Sequence, residues 1–189
     1  LCDRISYVCS TDLIAEYTKT PFHVTHISTR GTVDIIRAAK ARGVQITCDV
    51  TPHHLTLTEE LVASYDTRYK MSPPLRSEDD VEAMREGLKD GTIDGIATDH
   101  APHATEDKEV EYDQAPFGVV GLETALGVTL KYLVEPGHVS LVDAIAMLTC
   151  RPAQCLGLGA GTLSPGADAD VAILDPQTTW FVDPKQFHS

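Results

Sequence analysis

The sequence predicts an α/β protein whose strands run parallel and end in ionisable residues at one pole. Three observations predict it. Apolar, β-branched stretches of strand length at residues 22–27, 44–50 and 93–98 alternate with stretches of helical period. The first two strands and the helix between them make one βαβ unit of about thirty residues. Each strand also leads into polar groups: His26 at the end of the first, His53 and His54 after the second, Asp99 and His103 after the third. A shared pole of that kind belongs to a barrel or to a doubly wound sheet.

Composition sets the outer limits. The 189 residues are 42% hydrophobic and 23% charged, the balance of a globular chain with a buried core. A formal net charge of -13 argues against nucleic acid and anionic membranes as partners. It leaves room for a small anionic substrate, because a metal site inverts the local field. The cysteines, Cys2, Cys9, Cys48, Cys150 and Cys155, contain no CxxC pair and read as reduced thiols of a cytoplasmic protein. No apolar run nears the roughly 20 residues of a membrane span, and no basic, apolar leader opens the chain. The chain starts LCDRIS and ends PKQFHS just after a strand-like segment. The expectation is a piece of a longer protein.

In order, residues 1–20 have mixed helical periodicity, with Ile5, Val8, Leu13, Ile14 and Tyr17 as the apolar positions, and Pro21 ends them. FHVTHI (22–27) alternates and is a strand. Residues 32–42 form an amphipathic helix stopped by Gly43. VQITCDV (44–50) is the second strand. Thr58 caps a short helix, and Pro73-Pro74 keeps YKMSPPLR (69–76) an ordered loop. Ser77 with Glu78, Asp79 and Asp80 starts a helix that runs to about Lys89 and stops at Gly91. After the third strand come a charged surface loop (106–115), a helix of about four turns over 120–134, another over 140–149, and a third opened by Pro152. A glycine-rich break (157–165) precedes strands at 168–175 and 179–182. The chain holds three strands of a layer for which a barrel needs eight.

Asp99 and His103 are the strongest chemical pair. A carboxylate at the C-terminal end of a barrel strand binds a metal, moves a proton, or does both. On spacing alone, Asp99-His100 fits equally a turn that caps the next helix. His23 and His26 are three apart, so on a strand they point to opposite faces. With His26 inside, His23 packs as a core histidine in the helix layer. His26 alone fits a ligand or a satisfied core residue. His53 and His54, adjacent and pointing apart, are expected to brace the loop after Pro52. Zinc needs three or four ligands, and two converge here.

FHVTHIST, DVTPHHL, YKMSPPLR, IATDHAPH, APFGVVGLET and GTLSPGADADVAILD occur in that order. Together they closely resemble the C-terminal half of the bacterial-type dihydroorotases of the amidohydrolase superfamily, from about residue 22 to 175. The resemblance implies a partial (β/α)8 barrel, TIM-type, over residues 1–158, holding strands six to eight. Residues 159–189 would begin the return into a small composite β-sandwich. It implies a reversible cyclisation of N-carbamoyl-L-aspartate to L-dihydroorotate in pyrimidine biosynthesis, on one or two zinc ions.

Carried over by motif, His26 matches the zinc-ligand histidine of the sixth strand. Asp99 matches the aspartate that binds the other zinc and shuttles the proton. His103 matches a substrate-contacting histidine, and Phe117 and Gly118 a loop whose backbone meets the pyrimidine ring. Ser72 stands where the family commonly has a substrate-binding Asn, and is shorter, without the paired donor and acceptor of an amide. The family's HxH, its bridging carboxylate, its fifth-strand histidine and the arginine after the HxH do not occur in the chain, which is therefore expected to be inactive in isolation. The partners implied are a small-molecule substrate and a homodimer or a complex with aspartate transcarbamoylase. Two other readings remain: an inactive dihydroorotase-like scaffold for aspartate transcarbamoylase, and a related hydantoinase or allantoinase.

Overall fold

In the computed structural model residues 2–189 are described; Leu1 and the side chains of residues 2–6, Cys2 and Ile5 among them, lie outside the described residues. Three parallel strands form one sheet in the order β1 (Phe22–Val24), β2 (Ile46–Val50), β3 (Gly95–Ile96). Phe22 pairs with Ile46, Val24 with Cys48, and Val50 with Ile96. The strands therefore end at one pole, as the polar residues after each of them predict.

The strands are shorter than the apolar runs. After Val24 the chain turns, with His26 at φ 56°. β3 begins only at Gly95, because the Asp94 carboxylate accepts the Cys48 N–H (2.8 Å) in place of a ladder carbonyl and is held by the Lys40 ammonium (2.8 Å). Close packing marks that start: a Cβ on Gly95 would lie 3.2 Å from the Pro152 ring and 3.3 Å from the Met147 carbonyl.

One face of the sheet is covered by helices. α1 is Cys2–Thr18, α2 Arg30–Ala41 and α3 Glu78–Asp90. Ile46, Cys48 and Val50 of β2 point into a core shared with Val33, Ile36 and Ala39 of α2 and Ala83, Met84 and Leu88 of α3. Thr29 caps α2 through Thr32 N. Ser77 caps α3 through Asp80 N, and Gly91 ends it in the left-handed conformation. Burial pushes the Cys48 thiol pKa up, so it stays protonated and inert. Cys9, Cys48, Cys150 and Cys155 all carry free thiols.

Several expectations need correction. α1 packs through Val8, Thr11, Asp12 and Ala15, while Leu13, Ile14 and Tyr17 face outward. The reason is an ion pair: Asp12 turns inward to meet Arg42 of the α2 cap at 2.9 Å. Thr58 makes no capping bond, and the short helix after it is a 3-10 segment, Glu59–Ser64. The charged loop contains a single helical turn, α4 (Thr105–Lys108). The helix expected over 120–134 starts at α5 (Ala125–Thr129) and continues as a π-turn, Leu130–Val134. α6 (Leu141–Leu148) is capped by Ser140, and α7 (Cys150–Cys155) begins two residues before Pro152. No strand forms at 168–175 or 179–182 among the described residues. Those segments find no ladder partner among the described residues, and Ile173 is 97% exposed.

Candidate functional site

The site grows from the pole of the sheet. His26 follows β1 and Asp99 follows β3, and both adopt positive φ, 56° and 49°. Few non-glycine residues do so. The two left-handed turns swing the side chains together across the end of β2: His26 Nε2 lies 3.6 Å from Asp99 Oδ1. His26 and Asp99 are thus brought together as the strand ends predict.

Behind them stands Asp49, which the sequence reading passed over. It is the penultimate residue of β2 and is buried. Its Oδ1 accepts both the N–H and the Nδ1–H of His26 at 2.8 Å. Its Oδ2 takes His23 Nε2 at 2.8 Å and the Thr25 hydroxyl at 2.9 Å. Burial alone would raise its pKa, but the bonds from His23 and His26 outweigh it and hold the carboxyl below the ordinary carboxylate range. The assignment of His23 to the helix layer is therefore overturned. Val24 enters the helix-side core, so its neighbour His23 faces inward with Thr47 and Asp49. The turn after Val24 then brings His26 to the same side. His23, Thr25 and His26 line a cleft of about 470 Å³ that runs along the edge of β1. The signal for Asp49 was a charge at an inward position of an otherwise apolar strand.

His53 and His54 follow β2 in a 3-10 turn, His53–Leu55, and both are buried. His54 braces the loop, as expected. Its Nδ1 meets the Thr51 hydroxyl (2.7 Å), and its Nε2 donates to the Pro73 carbonyl (3.0 Å), which fixes the segment carrying Ser72. His53 Nε2 is buried with no hydrogen-bond partner among the described residues. Burial, helped by His54 and His26, pushes the His53 pKa down to about 3, and burial brings His54 to about 4.

His103 is exposed, beyond the turn after Asp99, and its Nε2–H donates to the Phe117 carbonyl at 2.9 Å. Gly118, at φ 123°, comes so close that a Cβ there would lie 2.5 Å from the Ala101 Cβ and 3.4 Å from His103 Nε2. Only glycine fits. His103, Phe117 and Gly118 therefore form one unit. It is tied to the YKMSPPLR segment: Gly118 N–H donates to the Lys70 carbonyl (3.0 Å), and the buried Lys70 ammonium donates to the Asp113 carbonyl (2.9 Å) and faces the Phe117 ring. His100 does not cap α4. Its Nδ1 accepts the N–H groups of Gly121 and Leu122, in the turn before α5. The alternative reading of Asp99-His100 as a cap of the next helix is therefore not borne out, since Ala104 precedes α4 without a side-chain bond and Asp99 faces His26.

An imidazole nitrogen and a carboxylate oxygen are both donors that zinc accepts, and His26 Nε2 and Asp99 Oδ1 face each other at 3.6 Å. Among the described residues no three of His, Cys, Asp and Glu come together as a metal-binding group. The fold and the pole define a segment of a (β/α) barrel with its chemistry at the C-terminal ends of the strands.

The chain belongs to the Amidohydrolase family, whose profile matches residues 8–188. Among curated proteins it is 56% identical over 177 residues to the dihydroorotase of Pelotomaculum thermopropionicum, covering 94% of this chain and 42% of that one. It is 56% identical over 182 residues to the dihydroorotase of Syntrophotalea carbinolica, covering 96% and 43%. The chain therefore spans about two fifths of the length of those relatives. Among solved structures it superimposes on the L-hydantoinase (dihydropyrimidinase) of Arthrobacter aurescens with TM-score 0.82 at 29% identity, over 87% of this chain and 38% of that one. The dihydropyrimidinase of Brevibacillus agri gives TM-score 0.82 at 22% identity, a likeness of fold.

Proposed function

We propose that the chain is the part of a zinc-dependent dihydroorotase that carries barrel strands six to eight, and that the whole protein interconverts N-carbamoyl-L-aspartate and L-dihydroorotate. The observation that supports it best is the meeting of His26 and Asp99 at 3.6 Å beside the His103–Phe117 unit. The identity to curated dihydroorotases, 56% against 29% for a hydantoinase, favours this activity over that of a related cyclic amidohydrolase. The retained Asp99 and His26 favour an active enzyme over a scaffold for aspartate transcarbamoylase.

On this reading His26 and Asp99 hold metal, and the remaining ligands come from outside these residues. A bound zinc ion supplies polarisation of the ring amide carbonyl and acidity for the attacking water. Asp99, partly exposed at the pole, takes the proton from that water and passes it to the departing ring nitrogen. In the direction of synthesis it takes the proton from the attacking carbamoyl nitrogen and gives it to the leaving oxygen. His103 gives its Nε2–H to Phe117, which leaves the Nδ1 side of the ring for the substrate. The backbone of Phe117 and Gly118 meets the pyrimidine ring, and Ser72 offers a single hydroxyl where an amide would offer two groups. Residues 1–158 belong to the barrel, and residues 159–189 lead into the sandwich domain. The enzyme works in the cytoplasm, as a homodimer or with aspartate transcarbamoylase.

The test is the full-length protein, assayed for dihydroorotate hydrolysis with zinc content measured alongside. His103→Asn should raise KM or lower kcat with zinc stoichiometry intact. Loss of zinc in that variant would move His103 from substrate to metal. A full-length protein with zinc bound but active on hydantoins alone would overturn the assignment of substrate.

A further inference from the structure

Asp49 collects four donors on two oxygens: the His26 N–H and Nδ1–H on Oδ1, and His23 Nε2 and the Thr25 hydroxyl on Oδ2. A carboxylate in that setting is ionised and can only accept. The hydrogen between it and His26 therefore sits on Nδ1, which leaves Nε2 as the ring nitrogen that can give its lone pair to a metal. The same logic runs outward. His23 Nε2–H donates to Asp49, so His23 Nδ1 accepts from the Thr47 hydroxyl at 2.7 Å. Thr47 and Asp49 are both inward residues of β2, two apart, so the array is anchored on the most enclosed strand. Oδ1 also grips the His26 backbone N–H, which holds the left-handed turn at φ 56°.

We infer that Asp49 is a positioning residue: it fixes His26 as the Nδ1–H tautomer and its backbone in the turn that points Nε2 towards Asp99. One carboxylate thereby sets both which nitrogen of His26 is the ligand and where that nitrogen lies. A metal site whose histidine is oriented in this way needs little rearrangement when the ion arrives. The inference rests on the reading of His26 as a metal ligand.

The first experiment uses the native full-length protein, stripped of metal by chelator and labelled with ¹⁵N-histidine. Long-range ¹H–¹⁵N correlation reports which ring nitrogen of His26 carries the proton. A proton on Nδ1 is expected without metal, whether or not Nε2 also carries one; a ring protonated on Nε2 alone would overturn the inference, and this measurement does not depend on a variant folding. The second compares Asp49→Asn with Asp49→Glu. In the Asn variant, zinc affinity from chelator competition should fall about 10–100-fold, and the His26 signal should become a mixture of tautomers. The Glu variant, which keeps a carboxylate, should recover part of both. Unchanged affinity and tautomer in Asp49→Asn would sink the role of Asp49 alone. The underlying reading has its own arm: a His26→Ala protein with undiminished zinc stoichiometry would show that His26 is no ligand.

Discussion

Two segments with the same strand signature have opposite fates. VQITCDV (44–50) and DADVAILD (168–175) both alternate and both carry β-branched residues. The first contains β2, paired on both sides and closed over by α2 and α3. The second forms no ladder among the described residues, with Val171 and Ile173 outward. Strand propensity describes how a residue fits a pleated, half-buried surface, and that surface is made by neighbours. β2 has Phe22–Val24 and Gly95–Ile96 beside it; residues 168–175 have no such pair among the described residues.

The contrast is sharpest in chemistry. In the full-length protein Asp99→Ala should abolish turnover and lower zinc content, whereas Asp170→Ala in the second segment should leave both near native. Near-normal hydrolysis of dihydroorotate by Asp99→Ala would remove the site from the pole of the sheet.

Packing comes next. Ile36 is fully buried, and Ile36→Ala should cost about 2–5 kcal/mol in denaturant unfolding of residues 1–189. Ile173→Ala in the same chain should stay within about 0.5 kcal/mol. Repeating the pair in the full-length protein breaks or keeps the comparison. A cost above about 1 kcal/mol for Ile173→Ala there would mean that the tail gains neighbours in the larger protein.

Acid should separate the two regions as well, because the buried histidines lie in the first. The folded values of His53 and His54, about 3 and about 4, are below the unfolded value near 6.5. The unfolded chain thus takes up protons first. Stability is whole above about pH 6.5 and falls below it, by on the order of 1 kcal/mol per pH unit for each histidine, until the loss levels off near pH 4 for His54 and near pH 3 for His53. Urea midpoints at pH 7, 5.5 and 4.5 measure this, and His53→Gln should flatten the slope. Identical midpoints across the series would contradict the burial of these rings.

The smallest effect tests two caps that look alike in sequence. Ser77→Ala should cost about 1 kcal/mol, because its hydroxyl accepts the Asp80 N–H. Thr58→Ala should cost a few tenths at most, since Thr58 makes no side-chain capping bond. Equal losses in thermal melts would show that the Thr58 hydroxyl has another use.

Much of the fold was legible because hydrophobic period is a local property. The helices after β1 and before β3 lie within two residues of the stretches that predict them. What failed depends on partners distant in sequence. The face of α1 is set by Arg42, thirty residues beyond Asp12. The inward turn of His26 is set by Asp49. In the site, Asp99 and His26 were visible as ionisable groups at strand ends. Asp49 was visible only as a charge within a strand; that it gathers two histidines and a threonine depends on residues more than twenty positions away.

The clasp at Lys70 bears on how this chain can be re-engineered. The loop that carries Phe117 and Gly118 is stitched to a different segment through the Lys70 carbonyl and ammonium, and Lys108 returns the stitch to the Thr67 and Pro116 carbonyls. A chimera that exchanges residues 105–118 alone removes the Lys108 bonds and keeps the Lys70 ammonium satisfied only if the new loop places a carbonyl where Asp113 has its own. The transplantable cassette is discontinuous: the loop travels with Thr67 and Lys70, or it arrives in the wrong shape.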